Sequence, residues 1–161
     1  MERYIGTKLI NASPMTRGDY NLLRGWPLPE DENGSDEGYL VEYVDGGFPN
    51  TSLFSGYVSW SPKSVFDKAY RKTYGLTFGH ALEALLIGLK VTRAGWNGKG
   101  MWLAYVPACS YEVANGLLDN SANYAANYAL RPWIGIKTVD DQFMPWLASQ
   151  SDMLALDWAI I

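Results

Sequence analysis

Residue types able to do covalent chemistry are scarce in this chain. Its 161 residues include one histidine, His80, and one cysteine, Cys109. A zinc site built from Cys and His ligands has almost nothing to draw on. A Cys–His nucleophilic pair lacks any supporting motif. The neighbouring carboxylates Asp140 and Asp141 leave room for an enzyme acting on a nucleotide, such as a hydrolase. What the chain has in quantity is rings: seven tryptophans and eleven tyrosines. The stretch "VTRAGWNGKGMWLAYVP", residues 91 to 107, frames a glycine-rich turn with two tryptophans and sets Arg93 and Lys99 close by. Rings beside cations suit a flat, anionic ligand. A ring stacks on a base, Arg forks onto two phosphate oxygens, and Lys acts as a point charge.

Each of these residues also has a plainer reading. Trp96 sits at the mouth of the Asn97-Gly98 turn, where no regular strand buries it, and is open to either role, stacking or packing. Trp102 alternates with Ala104 and Val106 and reads as core. Arg93, Lys99 and Lys137 can lie near the same end of two hairpins, as solvated charges or as phosphate contacts. "GWNGKG" resembles a phosphate-cradling loop only superficially, because a strand follows it and not a helix. Backbone N–H groups of such a turn can still meet an anion. "DENGSDEGYLVE", 31 to 42, imitates a calcium loop with Asp31, Asn33, Ser35 and Glu42, but Asp36 stands where the sharp turn requires glycine. It reads as a solvated acidic loop. His80 lies off the apolar stripe of its helix and reads as an ordinary, partly exposed side chain.

The elements that position these residues fall into two unlike segments, 1–73 and 74–161, which meet in the basic run "KAYRKTYGLT". The first is a small, turn-rich α+β module. It holds a short helix after Thr16, a loop over 27–38, a strand entering the turn at Asp45-Gly46-Gly47, and a second strand at 56–60. A helix over 61–74 follows, with Ser61 at its N-cap and Pro62 in its first turn. The second segment carries five of the tryptophans: Trp96, Trp102, Trp133, Trp146 and Trp158. Its helix over 77–91 is capped by Thr77, ends near Gly88, and shows an apolar stripe of Phe78, Ala81, Leu82, Leu85 and Leu86. A hairpin follows, with strands near 90–94 and 101–106 and a turn in which Asn97 and Gly98 tolerate positive φ. Residues 108–130 are Asn-rich and partly helical in pattern. A second hairpin, 132–149, turns near Asp140-Asp141. A short helix capped by Ser149 or Ser151 and a terminal strand close the chain. The expected fold is α+β: an amphipathic helix packed on an antiparallel sheet of hairpins, preceded by the turn-rich module.

The totals narrow the function classes. Hydrophobic residues make up 48% and net charge is −4. The acidic balance argues against a general nucleic-acid coat or an anionic membrane surface. A single cysteine fits a reducing compartment. The N-terminus has no apolar run of signal-peptide length, and no stretch reaches a membrane span. The expectation is a soluble, intracellular protein.

Two longer stretches carry a specific likeness. "LTFGHALEALLIGLKVTRAGWNGKGMWLAYVP" and "RPWIGIKTVDDQFMPWLASQSDMLALDWAII" resemble the phage-encoded Thoeris anti-defence proteins of the second type. The likeness covers roughly residues 74–161. The first segment, with "PMTRGDY" and "DEGYLVEYVDGG", resembles a module seen in phage proteins. The resemblance implies a non-enzymatic sponge without a cofactor, acting in the cytoplasm of a bacterial host. Such proteins sequester cyclic-ADP-ribose-type signals made by TIR-domain proteins, and some members bind cyclic dinucleotides. It also implies a homotetramer with ligand pockets at subunit interfaces. By motif, Trp96 and Asn97 belong to the implied site from the first stretch, and Trp146, Ser149 and Asp152 from the second. Arg93, Lys99, Lys137 and Thr138 are the expected polar contacts. The alternative is a phage structural or assembly protein with a Trp-rich interaction surface.

Overall fold

The computed structural model of the chain describes residues 1–114 and 125–161. It separates into two compact units, Met1–Arg71 and Lys72–Ile161. Residues 115–124, part of the Asn-rich stretch with helical pattern, lie outside the described residues.

The first unit is a three-stranded antiparallel sheet, β1 (Asn11–Thr16), β2 (Glu37–Tyr43) and β3 (Tyr57–Pro62), with β2 in the middle. Helix α1 (Arg17–Arg24) starts where expected: the Thr16 side chain accepts the Asp19 N–H, and Gly25 ends the helix in the left-handed region. Helix α2 (Lys63–Ala69) is shorter than the sequence predicts and starts later. Ser61 stays in β3, paired with Tyr39, so it cannot cap. Pro62 takes the cap position with no side-chain hydrogen bond. Successive residues of a strand point to opposite faces. Tyr20 of α1 packs with Leu40 and Val58 on one face, while Phe66 of α2 stacks on Tyr39 at 4.0 Å on the other.

The second unit confirms the α+β expectation. Strands β4 (Tyr74–Leu76), β5 (Val91–Arg93), β6 (Trp102–Val106), β9 (Trp133–Lys137), β10 (Phe143–Pro145) and β11 (Trp158–Ile160) form an antiparallel sheet. Its order is β10-β9-β6-β5-β11-β4. The C-terminal strand is thus interior, between β5 and β4. Strands β7 (Cys109–Ala114) and β8 (Ala125–Leu130) pair in a separate two-stranded sheet. At those positions the helical pattern gives way to strand. Pairing with a partner strand overrides local propensity here, as it commonly does.

Helix α3 (Phe78–Leu86) covers one face of the six-stranded sheet. Thr77 caps it by accepting the His80 N–H, and Gly88, at φ +89, donates to the Leu85 carbonyl to end it. The buried stripe is rotated from the expected one. Ala81, Ala84 and Leu85 are buried, whereas Leu82 and Leu86 are 36% and 52% exposed. The two alanines let the helix approach Trp158, which is fully buried. Register defines the sheet's faces. Val91 pairs with Leu103 and Leu103 with Ile136 on the inner face, under α3. Trp102 pairs with Lys137 on the outer face. The placement of Trp102 in the core is therefore corrected: alternation buries Leu103 and turns Trp102 outward. Helix α4 (Gln150–Met153) is capped by Ser149, one of the two expected residues.

Candidate functional site

The connection between β5 and β6, residues 94–101, is not the tight two-residue turn that Asn97-Gly98 predicts. Neither Asn97 nor Gly98 has positive φ; Gly100 does, at +74°. Gly98 serves close packing instead, since a Cβ there would lie 2.2 Å from Val139 Cγ2 and 2.4 Å from Met101 Sδ. The loop is anchored from β11's side. The Asp157 carboxylate accepts the Gly95 N–H at 2.7 Å, and its backbone carbonyl accepts the Ala94 N–H at 3.2 Å. This anchoring carries Trp96 over the inner face. Its ring lies 5.5 Å from Trp158 and 6.4 Å from Trp146, edge-on to both. Phe78 completes the cluster, 6.1 Å from Trp146 and 5.5 Å from Trp158. Trp96 and Trp146 are half-buried, so each gives part of its ring to the core and part to solvent.

Asp152 joins the rings to the charges. Its Oδ1 accepts from Arg93 Nη1 at 2.7 Å and from the Trp96 indole at 3.3 Å. Its Oδ2 accepts from the Ser149 backbone N–H at 3.0 Å and hydroxyl at 2.6 Å, while Ser149 Oγ accepts the Asp152 N–H. This is a capping box with aspartate in the third position. Arg93 also donates to both oxygens of Asp157, at 2.8 and 3.4 Å. Burial by itself pushes the Asp152 carboxyl up. Hydrogen bonds from the Ser149 hydroxyl, Arg93, the Ser149 backbone and Trp96 outweigh it and hold the group at about 2. Hydrogen bonding from Arg93 likewise lowers Asp157. Bonding to Asp157, opposed by burial and reinforced by Asp152, raises Arg93.

The structure thus brings together Arg93, Trp96, Trp146, Ser149 and Asp152. It places the remaining residues elsewhere. Asn97 and Lys99 are exposed on the β5–β6 loop. Lys137 is on the outer face, paired with Asp141 at 2.6 Å and donating to the Gly100 carbonyl at 3.3 Å. Thr138 organises the β9–β10 turn through Asp140 and Gln142; Asp141 there has φ +63°. Arg93 and Lys137 lie on opposite faces of the sheet, so they do not converge as the hairpin ends predict. The two loops do meet, at Gly98–Val139 and Gly100–Lys137.

Sequence reasoning missed Asp157, Trp158 and Phe78 as parts of this constellation. A signal existed for one of them. An aspartate just before a terminal strand can pair with an arginine at the end of another when the two strands are adjacent, as β11 and β5 are here with Trp158 opposite Arg93. That adjacency was not readable. Among the described residues no group of His, Cys, Asp and Glu is arranged to hold a metal, and no helix is long and apolar enough to cross a membrane.

Fold and site together define an antiparallel α+β domain whose aromatic inner face is braced by an Arg–carboxylate network. Residues 76–161 match the Thoeris anti-defense 2-like domain family. A Bacillus phage SP01 protein named Thoeris anti-defense 2 is 37% identical over 90 residues, covering 53% of this chain and 94% of the phage protein. The chain belongs to the Thoeris anti-defense 2-like family.

Proposed function

We propose that this protein is an immune-evasion sponge. It binds a cyclic nucleotide signal of the glycocyclic ADP-ribose type, or a cyclic dinucleotide, and withholds it from the host's anti-phage defence without altering it. The observation that carries the reading is the half-buried Trp96–Trp146 pair, standing over a fully buried core, with Trp96 fixed by Asp152. Rigid rings already held in place stack on a base at little ordering cost. Asn97 lies beside them on the β5–β6 loop. Lys99 on the same loop and Ser149 at the start of α4 supply polar contacts to phosphate and sugar, and Arg93 and Asp152 fix the Trp96 ring, while Lys137 and Thr138 stand apart on the outer face and in the β9–β10 turn. Sequestration needs affinity and abundance and no catalytic group, so the protein acts as a binder and not as an enzyme, in the cytoplasm of the bacterial host.

Self-association belongs to the same proposal. Leu82, Leu86 and Leu154 are 36%, 52% and 77% exposed, apolar surface that a homo-oligomer, a tetramer by family resemblance, would cover. A second reading has its own observation. Trp102, Trp133 and Phe143 cluster on the outer sheet face, and a phage assembly protein could use that face to bind another protein.

One experiment separates these. The full chain is mixed with cyclic ADP-ribose, its glycocyclic isomers and cyclic dinucleotides, examined by native mass spectrometry, and then heat-denatured. Capture followed by release of intact ligand, from an oligomer, is the expected result. Release of a ligand of altered mass indicates an enzyme. Failure to capture any of them defeats the sponge and leaves the assembly reading.

A further inference from the structure

We infer that Asp152 is a positioning residue for the binding face: it holds the Trp96 indole in place and is not itself a ligand contact. This rests on the sponge reading for what the ring binds, but the ring's placement is a separate matter. Asp152 is 9% exposed. Four donors converge on its two oxygens: Arg93 Nη1 and Trp96 Nε1 on Oδ1, the Ser149 N–H and Oγ on Oδ2. A carboxylate so occupied has little acceptor capacity left for a ligand hydroxyl, and its charge repels phosphate.

The charge balance at the site leads to the same assignment. Arg93 faces two carboxylates, Asp152 at 2.7 Å and Asp157 at 2.8 Å. One guanidinium against two carboxylates leaves the triad with a formal charge of −1, a poor seat for phosphate. Arg93 instead completes the brace. It ties α4's Asp152 to Asp157, and Asp157 holds the 94–95 backbone from which Trp96 projects. Next to Trp96 the loop is thus held by Asp157 through backbone and by Asp152 through the indole nitrogen. Removing the second leaves the ring held only by its packing against Trp146 and Trp158, and a ring less firmly held must be ordered again on binding.

The test reads the ring directly. Indole N–H signals are recorded by 15N NMR on the full chain, with Trp96→Phe assigning the Trp96 signal, and its solvent exchange is measured. Affinity for cyclic ADP-ribose is measured in parallel. In the unaltered protein the Trp96 N–H should exchange more slowly than that of Trp26, which is 51% exposed. Asp152→Ala should speed the Trp96 exchange and weaken the probe about tenfold or more, as loss of a charge-assisted hydrogen bond does. Asp152→Asn keeps an acceptor at Oδ1 and should recover most of both. A Trp96 N–H that exchanges as fast as that of Trp26 in the unaltered protein overturns the assignment without any variant. So does an Asp152→Ala protein with wild-type exchange, or Asp152 variants that lose the probe while the Trp96 exchange stays slow, which would make the carboxylate a direct contact. If Asp152→Ala does not fold, Asp152→Asn and the unaltered protein still decide. If the unaltered protein binds no cyclic nucleotide, the sponge reading fails, and the exchange measurements judge the placement on their own.

Discussion

The two faces of the six-stranded sheet carry the same kind of side chain under opposite conditions. On the inner face Trp158 is fully buried beneath α3, and Trp96 and Trp146 lean on it edge-first. On the outer face Trp102, Trp133 and Phe143 form a cluster with centroids 5.8 and 5.7 Å apart, capped at one end by Lys90, 4.0 Å above the Trp102 ring. Two of the inner rings have their indole nitrogens paired: Trp158 donates to the Asp152 carbonyl and Trp96 to its carboxylate. A buried N–H without a partner would cost free energy, so the inner face had to bring its own acceptors. The outer rings are half-buried or, for Phe143, 46% exposed, and the cation that meets them is itself exposed. Tryptophan content therefore says little about burial. Strand parity and the presence of a covering helix decide it.

The sharpest way to break this comparison is at its centre. Trp158→Ala removes a fully buried ring packed against Phe78, Trp96 and Trp146. It should lower unfolding stability by about 3–5 kcal/mol, read from the urea midpoint. A loss no greater than that of Trp102→Ala would mean that the faces have been assigned the wrong way round. The next largest effect is expected at the brace. Arg93→Ala leaves Asp152 and Asp157 facing each other, with side chains 12% and 31% exposed. Breaking a fully buried pair from one side costs about 3–5 kcal/mol; with Asp157 partly screened by solvent, about 2–3 kcal/mol is expected here. Arg93→Lys keeps the charge but cannot fork onto Asp157, so it should recover only part of the loss. Full recovery by lysine would show that charge alone matters and geometry does not.

Much of this arrangement was legible in the sequence, and the misses have physical causes. Thr16 and Thr77 are read correctly as caps, and Ser149 is one of the two residues expected for the last helix, because a cap is local: one hydroxyl and the N–H two or three residues on. The turn near Asp140-Asp141 is legible for the same reason. Trp102 is misread because alternation gives only relative parity. Ala104 and Val106 share its face, but nothing local says which face α3 will cover. The α3 stripe is misread because Leu82 and Leu86 look more apolar than Ala84, yet Trp158 fills the space and only small residues fit beside it. Asn97-Gly98 carries a strong turn signal, but the loop is shaped by Asp157, far away in sequence, which sequence pattern cannot see. Of the candidate site, the motif residues Trp96, Trp146, Ser149 and Asp152 do meet. The cations do not join them as a group, because Arg93 and Lys137 differ in parity.

Acid tests the inner brace in another way. The Asp152 carboxyl is held at about 2 in the folded protein, against 3.8 as its ordinary value. A depressed folded value means that the contribution is complete above the unfolded value and lost as pH falls through the folded one. The difference corresponds to about 2 kcal/mol. Stability should therefore be flat above about pH 5 with respect to this group and fall between about pH 4 and pH 2. Asp157, lowered by Arg93, adds to the same fall. Asp152→Asn should start less stable and show a shallower acid slope. An unchanged slope in that variant would remove Asp152 from the account of acid sensitivity.

The outer face should answer weakly to the same treatment. Trp102→Ala uncovers a half-buried ring and should cost about 1–2 kcal/mol, well short of the Trp158 variant. It should leave cyclic nucleotide binding within about threefold if the inner face is the binding face. Lys90 offers the finest distinction. Its ammonium sits 4.0 Å over Trp102, and an exposed cation–π contact is worth about 0.5–1 kcal/mol. Lys90→Ala should therefore lower stability by no more than that, and the loss should vanish when Trp102 is already alanine. A double-mutant cycle on urea midpoints measures this coupling. If Lys90→Ala costs as much in the Trp102→Ala background as in the unaltered protein, the contact contributes nothing. Lys90 then stabilises the chain by some route other than the outer ring cluster. If the coupling instead exceeds about 2 kcal/mol, the pair is desolvated as buried cation–π contacts are. Something must then cover the outer face in solution, and the difference between the two faces becomes one of partner, the inner face covered by α3 and the outer by another surface.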